Sequence, residues 1–256
     1  MKKKILGYMV ILLLMAGFSM QINSQRVDQL KIASQQEGEG GLLESSAVQG
    51  KKVYLTFDDG PSDQTGKILD ILKKNNVKAT FFVIGKKTET AKKMYRRIVL
   101  EGHTLGMHSY SHNYDQIYSS VDAFGKDLKK LEKYLYDMTE VKPFIYRFPG
   151  GSSNSCVQDI TPYIQFVKKQ GWLYFDWNAL SGDALDFNVS ADQLNANILK
   201  DVRKQKVSVV LMHDLHEAGN TAEGLESLIK TLKKEGYQVL PITKNTKQIQ
   251  HVSIDK

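Results

Sequence analysis

From Lys51 onward, short continuous apolar runs alternate with longer stretches whose apolar residues recur every three or four positions. The short runs are Val53–Phe57, Ala79–Ile84, His103–Met107, Phe144–Arg147, Leu173–Trp177, Val207–Met212 and Tyr237–Ile242. Strands apolar throughout are expected where both faces of a sheet are covered, as in parallel sheets. Between them, Phe124, Leu128, Leu131 and Leu135 form one helical stripe; Leu194, Ile198 and Val202 form a second. Leu225, Leu228, Ile229 and Leu232 form a third. Each marks an amphipathic helix with one face towards a core. The alternation predicts an α/β domain with a mostly parallel sheet and helices outside it. Seven strand–helix units suit an open doubly wound sheet or a barrel one unit short of the usual eight. Periodicity does not choose between these.

The pattern upstream is different. Lys2, Lys3 and Lys4 precede an apolar run from Ile5 to Met20. A basic flank before such a run is the signature of an export signal or of an anchor with its N-terminus inside. The run is slightly shorter than the ~20 residues that span a bilayer. Only Gly17-Phe18-Ser19 resembles a cleavage site, so an uncleaved membrane anchor over residues 1–22 is favoured over a cleaved signal. Residues 23–50 are polar and Gly-rich around Gln35–Gly41, which predicts a flexible linker. A single catalytic domain is expected over residues 51–256, outside the cytoplasm.

Composition changes this picture little. Of 256 residues, 41% are apolar and 25% charged, as in a globular protein with a substantial core. One cysteine, Cys156, excludes an internal disulfide framework and a Cys-rich zinc site. Of the basic residues behind the net charge of +7, Lys2, Lys3 and Lys4 cluster at the N-terminus. After it, no basic patch with interleaved aromatics is present, so nucleic acid is not an expected partner.

The reactive residues cluster where the apolar runs end. Asp58 and Asp59 follow the first run in Thr56-Phe57-Asp58-Asp59-Gly60. Adjacent carboxylates leaving a strand face different sides, so one can bind a cation while the other takes a proton. His108 and His112 lie four apart in His108-Ser109-Tyr110-Ser111-His112, a spacing that lets two imidazoles share one ion. Two His and one carboxylate leave coordination positions open for water and substrate, which suits catalysis better than structure. Arg147-Phe148-Pro149-Gly150-Gly151 offers a guanidinium for a bidentate grip on an aspartate and a backbone that ligands can approach closely. Asp176-Trp177 and Leu211-Met212-His213-Asp214 complete the set; a His beside a carboxylate is a poised acid. Trp177 reads as core or pocket wall. Taken singly, Asp-Asp-Gly is usually a turn and His-x-x-x-His is weak. If the C-terminal ends of the strands share one rim, residues from 58 to 213 meet in one mouth.

The ordered set TFDDG, HSYSH, RFPGG, DW and LMH resembles the polysaccharide deacetylases of carbohydrate esterase family 4, the NodB-homology domain, from about Lys51 to Ile242. The resemblance implies a distorted (β/α)7 barrel, a divalent metal ion, commonly zinc, with cobalt or other divalent ions as alternatives, and a monomer. It implies N-deacetylation of an N-acetylglucosamine polysaccharide, with peptidoglycan the expected partner. By position, Asp58 would be the general base, Asp59, His108 and His112 the metal ligands, and Arg147 the residue that fixes Asp58. His213 would be the general acid, oriented and tuned by Asp176, and the Gly150 N–H would help hold the oxyanion. Many relatives carry an aromatic residue where this chain has Gly150, so the pocket wall is expected to be thinner there. The rivals are an O-acetyl polysaccharide esterase and a catalytically silent glycan-binding barrel. Against the second stands a complete residue set.

Overall fold

The central strand, β1 (Lys52–Asp58), is buried at every residue after Lys52, as a strand covered on both faces must be. The computed structural model describes residues 50–254. Parallel strands flank β1: β2 (Thr80–Ile84), β3 (Thr104–Ser109), β4 (Ile145–Tyr146) and β5 (Leu173–Tyr174) on one side, β7 (Val207–His213) and β6 (Ala179–Leu180) on the other. A short β8 (Gln238–Val239) pairs with Lys52 and Val53, while β2 takes Thr56 to Asp58 further along the same edge.

The two ends of this sheet, β5 and β6, are joined by only residues 175–178. A chain that short spans at most about 17 Å, so the sheet must curl until its edges meet. The link bonds to both sides: the Phe175 N–H donates to the Tyr146 carbonyl and the Asn178 N–H to that of Val209. β5 and β6 are thus two halves of one interrupted strand. With it counted once, the strands form the seven staves of a distorted (β/α)7 barrel.

Helices α1 (Thr65–Lys74), α2 (Glu89–Leu100), α3 (Tyr114–Ile117), α4 (Val121–Thr139), α5 (Thr161–Lys169), α6 (Ala191–Val202) and α7 (Gly219–Lys234) connect the strands. The three predicted stripes are the buried faces of α4, α6 and α7. Side-chain oxygens of Thr88, Ser120 and Ser190 cap α2, α4 and α6, each cap worth about 1 kcal/mol. The predicted runs are longer than the hydrogen-bonded strands on the β4–β5 side, and Ala179–Leu180 was not among them. A two-residue pairing leaves too little alternation to read.

The barrel interior explains how the site is assembled. Tyr54, Phe82, Ile145, Phe175, Val209 and Ile242 pack together as a small separate core, each from a different stave or within three residues beyond it. Successive side chains on a strand face opposite ways. If Tyr54 points inward, so do Thr56 and Asp58; if Val209 does, so do Leu211 and His213. On β3 the inward position is Gly106, where a Cβ would lie 2.7 Å from Phe82 Cδ1 and 2.9 Å from Ile145 Cγ1. Its bare backbone makes room for those side chains, and two residues on the same alternation delivers His108.

Residues 1–49, and with them the expected anchor and nearly all of the expected linker, lie outside the described residues. Among the described residues no helix is long and apolar enough to cross a membrane.

Candidate active site

Arg147 is the site's foundation. It directly follows β4, is 0% exposed, and stacks its guanidinium 4.2 Å above the Phe82 ring at the top of the interior core. Its Nη1 donates to Thr56 Oγ1 (2.7 Å) and to Asp58 Oδ1 (2.8 Å), while Nε and Nη2 donate to the carbonyls of Phe175 and Asp176 (both 3.0 Å). The expected grip on Asp58 is present, but through one nitrogen rather than as a bidentate pair. The other donors hold the interrupted strand. Asp58 is only 2% exposed. Burial pushes its carboxyl above the usual range, and the charges of Arg147 and His213 only partly offset that.

Asp59 turns the other way, with a backbone φ of 70°, and His112 also sits at positive φ, 51°. Left-handed backbone is uncommon for such residues and is held only by strong surroundings. Those surroundings include Asp127 on α4, whose carboxylate accepts from Ser109 Oγ, the Tyr110 N–H and the Ser111 N–H at 2.6–2.9 Å. Ser109 Oγ in turn accepts from the His112 N–H at 2.9 Å. Sequence reading missed Asp127, whose only signal was a carboxylate next to the apolar stripe of a helix.

Asp59, His108 and His112 offer three ligand atoms that all lie within 4.8 Å of one another. Asp59 Oδ1 is 3.1 Å from His112 Nε2 and 3.5 Å from His108 Nε2, yet it is buried and makes no hydrogen bond. The other ring nitrogen of His108, Nδ1, lies 2.8 Å from the Arg147 carbonyl. That contact places the proton on Nδ1 and leaves the Nε2 lone pair facing Asp59. Burial, aided by the charges of His112 and Arg147 and opposed by Asp59, pushes the His108 pKa down to about 3, so the ring is neutral. Neutral imidazole and a carboxylate oxygen without a donor are what a divalent cation requires. The residues fit a metal.

Across from this cluster stands His213, the last residue of β7. It pairs with Asp183, not with the expected Asp176. His213 Nδ1 lies 2.8 Å from Asp183 Oδ1, and Asp183 Oδ2 accepts from the His213 N–H (2.8 Å) and Thr221 Oγ1 (2.7 Å). Burial favours the neutral ring, but the hydrogen bond and charge of Asp183, with Asp58 and Asp59 behind it, outweigh burial and raise the His213 pKa. Asp176 faces elsewhere: it is fully buried and accepts from the Ser152 N–H (2.8 Å), Ser152 Oγ (2.5 Å) and the His251 N–H (2.8 Å). It joins the loop after Arg147 to the C-terminal segment. Asp214 does not serve His213 either; it accepts from Ser62 Oγ and Thr65 Oγ1.

Gly150 is exposed at φ 76°. Trp177 is half-buried, with its ring against Gly151, 5.7 Å from the Arg147 guanidinium and edge-on to His251. The arrangement thus has a trio that could hold a metal ion, a buried carboxylate held by Arg147, and an imidazole backed by a carboxylate. Titratable groups beside a candidate cation site suit hydrolytic chemistry.

Residues 45–166 match the polysaccharide deacetylase family. A peptidoglycan-N-acetylglucosamine deacetylase of Bacillus cereus is 31% identical over 195 residues, covering 73% of this chain and 68% of that protein. The catalytic domain of a peptidoglycan N-acetylglucosamine deacetylase from Eubacterium rectale is 37% identical with a TM-score of 0.76, covering 84% of this chain and 99% of that one. A family pseudoenzyme from Bacillus anthracis is 26% identical, with a TM-score of 0.64 over 75% of this chain and 64% of that one. Two curated relatives are spanned over only 65% and 68% of their length. The chain belongs to the polysaccharide deacetylase family.

Proposed function

We propose that this protein is a metal-dependent hydrolase that removes N-acetyl groups from N-acetylglucosamine in peptidoglycan, acting outside the cytoplasm and tethered by its N-terminal segment. The observation that carries the reading is the buried, unbonded Asp59 Oδ1 facing two imidazole nitrogens, with Asp58 and His213 beside it. Asp59, His108 and His112 would hold a divalent ion, zinc by the donor set, which when bound polarises a carbonyl and acidifies water.

The protein's own residues do the rest. Asp58, aligned by Arg147, takes a proton from the attacking water. General-base assistance of this kind is worth ~10²–10⁴-fold. The Gly150 N–H stabilises charge on the former carbonyl oxygen. His213, kept protonated on Nδ1 by Asp183, gives the Nε2 proton to the departing amine, which releases acetate and a free glucosamine. No side-chain nucleophile is needed. Incubation of the purified protein with peptidoglycan, chitin oligomers and acetylxylan, with and without chelator, tests this. Chelator-sensitive acetate release from a glucosamine polymer supports the reading. Release from acetylxylan alone would favour the O-acetyl esterase, and no release from the metal-loaded protein would favour a silent glycan-binding barrel.

A further inference from the structure

We propose that Tyr114 contacts the substrate: its hydroxyl donates a hydrogen bond to the acetyl carbonyl oxygen, beside the Gly150 N–H, and its ring forms the pocket wall that residue 150 lacks. The inference rests on the deacetylase reading above.

Three observations lead there. First, Tyr114 fills the space next to Gly150 together with Asn154, whose Cβ would lie 3.0 Å from a Cβ at that glycine. A Cβ on that glycine would lie 3.4 Å from Tyr114 Cε1 and 3.5 Å from its hydroxyl oxygen. The side chain missing from the loop after β4 is thus supplied from α3. Second, the ring is held in place. It meets the imidazole of His112 edge to face at 5.4 Å and 88°, and packs against Tyr118 at 5.9 Å. Tyr118 is fastened by its own hydroxyl to the Pro149 carbonyl at 2.7 Å, so wall and loop move together. The Asn113 side chain accepts from the Gln116 N–H at 3.0 Å and fixes the start of the helix that carries Tyr114.

Third, the Tyr114 hydroxyl makes no hydrogen bond among the described residues. Its neighbours in the same aromatic cluster do: the hydroxyls of Tyr118 and Tyr163 donate to the carbonyls of Pro149 and Tyr118. Half-buried and held by its ring contacts, this phenol keeps a donor that a ligand can reach. Here it sits between a metal-ligand candidate and an exposed backbone N–H. A donor oriented before reaction stabilises the charge that grows on a carbonyl oxygen without reorganisation. The phenol keeps its proton throughout, so no transfer to it or from it is required.

The test is Tyr114→Phe in the full-length, metal-loaded protein, assayed on N-acetylglucosamine oligomers. The ring and its packing are retained, so the melting temperature and the metal content by elemental analysis should match the parent. Loss of a secondary donor is expected to lower kcat ~10- to 100-fold, with KM moving less than ~3-fold. Acetate titrated into the metal-loaded proteins and followed by NMR should bind the variant more weakly. A kcat within about two-fold of the parent overturns the proposal. So does a raised KM at unchanged kcat, which would put the hydroxyl on a sugar oxygen instead. A parent protein that releases no acetate from any glycan overturns the deacetylase reading and this proposal with it; an active parent with an equally active variant overturns only the role of Tyr114.

Discussion

Asp183→Asn isolates the function of the carboxylate behind His213. The structure dictates how the amide would sit. Asp183 Oδ2 accepts from two donors, the His213 N–H and Thr221 Oγ1, while Oδ1 meets only His213 Nδ1 at 2.8 Å. An asparagine has one oxygen, and two donors hold it at the Oδ2 position. Its NH2 group then faces Nδ1, which must become an acceptor, and the imidazolium can form only against an opposing N–H. The proposed general acid is lost although the imidazole stays. Removing such a group costs ~10²–10⁴-fold in kcat, or about 3–5 kcal/mol of barrier. The fold and the candidate cation site should be unaffected, because the Asp183 carboxylate bonds His213 and Thr221 rather than Asp59, His108 or His112. The assay compares an N-acetylglucosamine oligomer with an aryl acetate. An amine must be protonated to leave and a phenolate need not be, so the loss should be large on the first and less than ~10-fold on the second. Equal losses on both, or a near-normal kcat on the amide, would refute the role of Asp183.

Asp176→Ala should behave differently: it leaves the N–H of Ser152, a buried residue, without its acceptor, at about 1–3 kcal/mol, and should lower the melting temperature. The pH profile of any remaining activity should keep its shape, since Asp176 does not bond His213; a shifted profile would restore its tuning role. His103 gives a pH effect on stability. Burial, with the charges of Lys78 and Arg97, pushes its pKa down to about 4 from 6.5, and Nδ1 accepts from the Ala79 N–H. The folded state therefore binds fewer protons than the unfolded state between those values, and stability should fall as pH drops from 6.5 through 4, by on the order of 3 kcal/mol. Denaturant melts across that range should show this slope, and His103→Asn should flatten it. Gly106→Ala should cost about 1–3 kcal/mol by overpacking the barrel interior, read as a lower denaturant midpoint; an unchanged midpoint would show that Phe82 and Ile145 can yield.

Much of the protein was legible in its sequence because the signals were local and periodic. Continuous apolar runs and helical stripes marked β1 and β7 and the buried faces of α4, α6 and α7. The alternation of side chains along β1 separates Asp58 from Asp59. The four-residue spacing of His108 and His112 brought both rings to one carboxylate. What tertiary structure alone decided concerns contacts made where the chain leaves regular structure. The stave made of β5 and β6 breaks at residues 175–178, with Asp176 in the break and Asp183 beyond its end, so an aspartate's partner depends on where the chain crosses from β4 to β7. That crossing gives His213 to Asp183 and turns Asp176 towards Ser152 and His251. Gly150 by itself suggested a thinner wall, and only packing brought Tyr114 from α3 into the space. Periodicity reports which face a residue takes on its own element; which residue stands opposite is settled when the barrel closes.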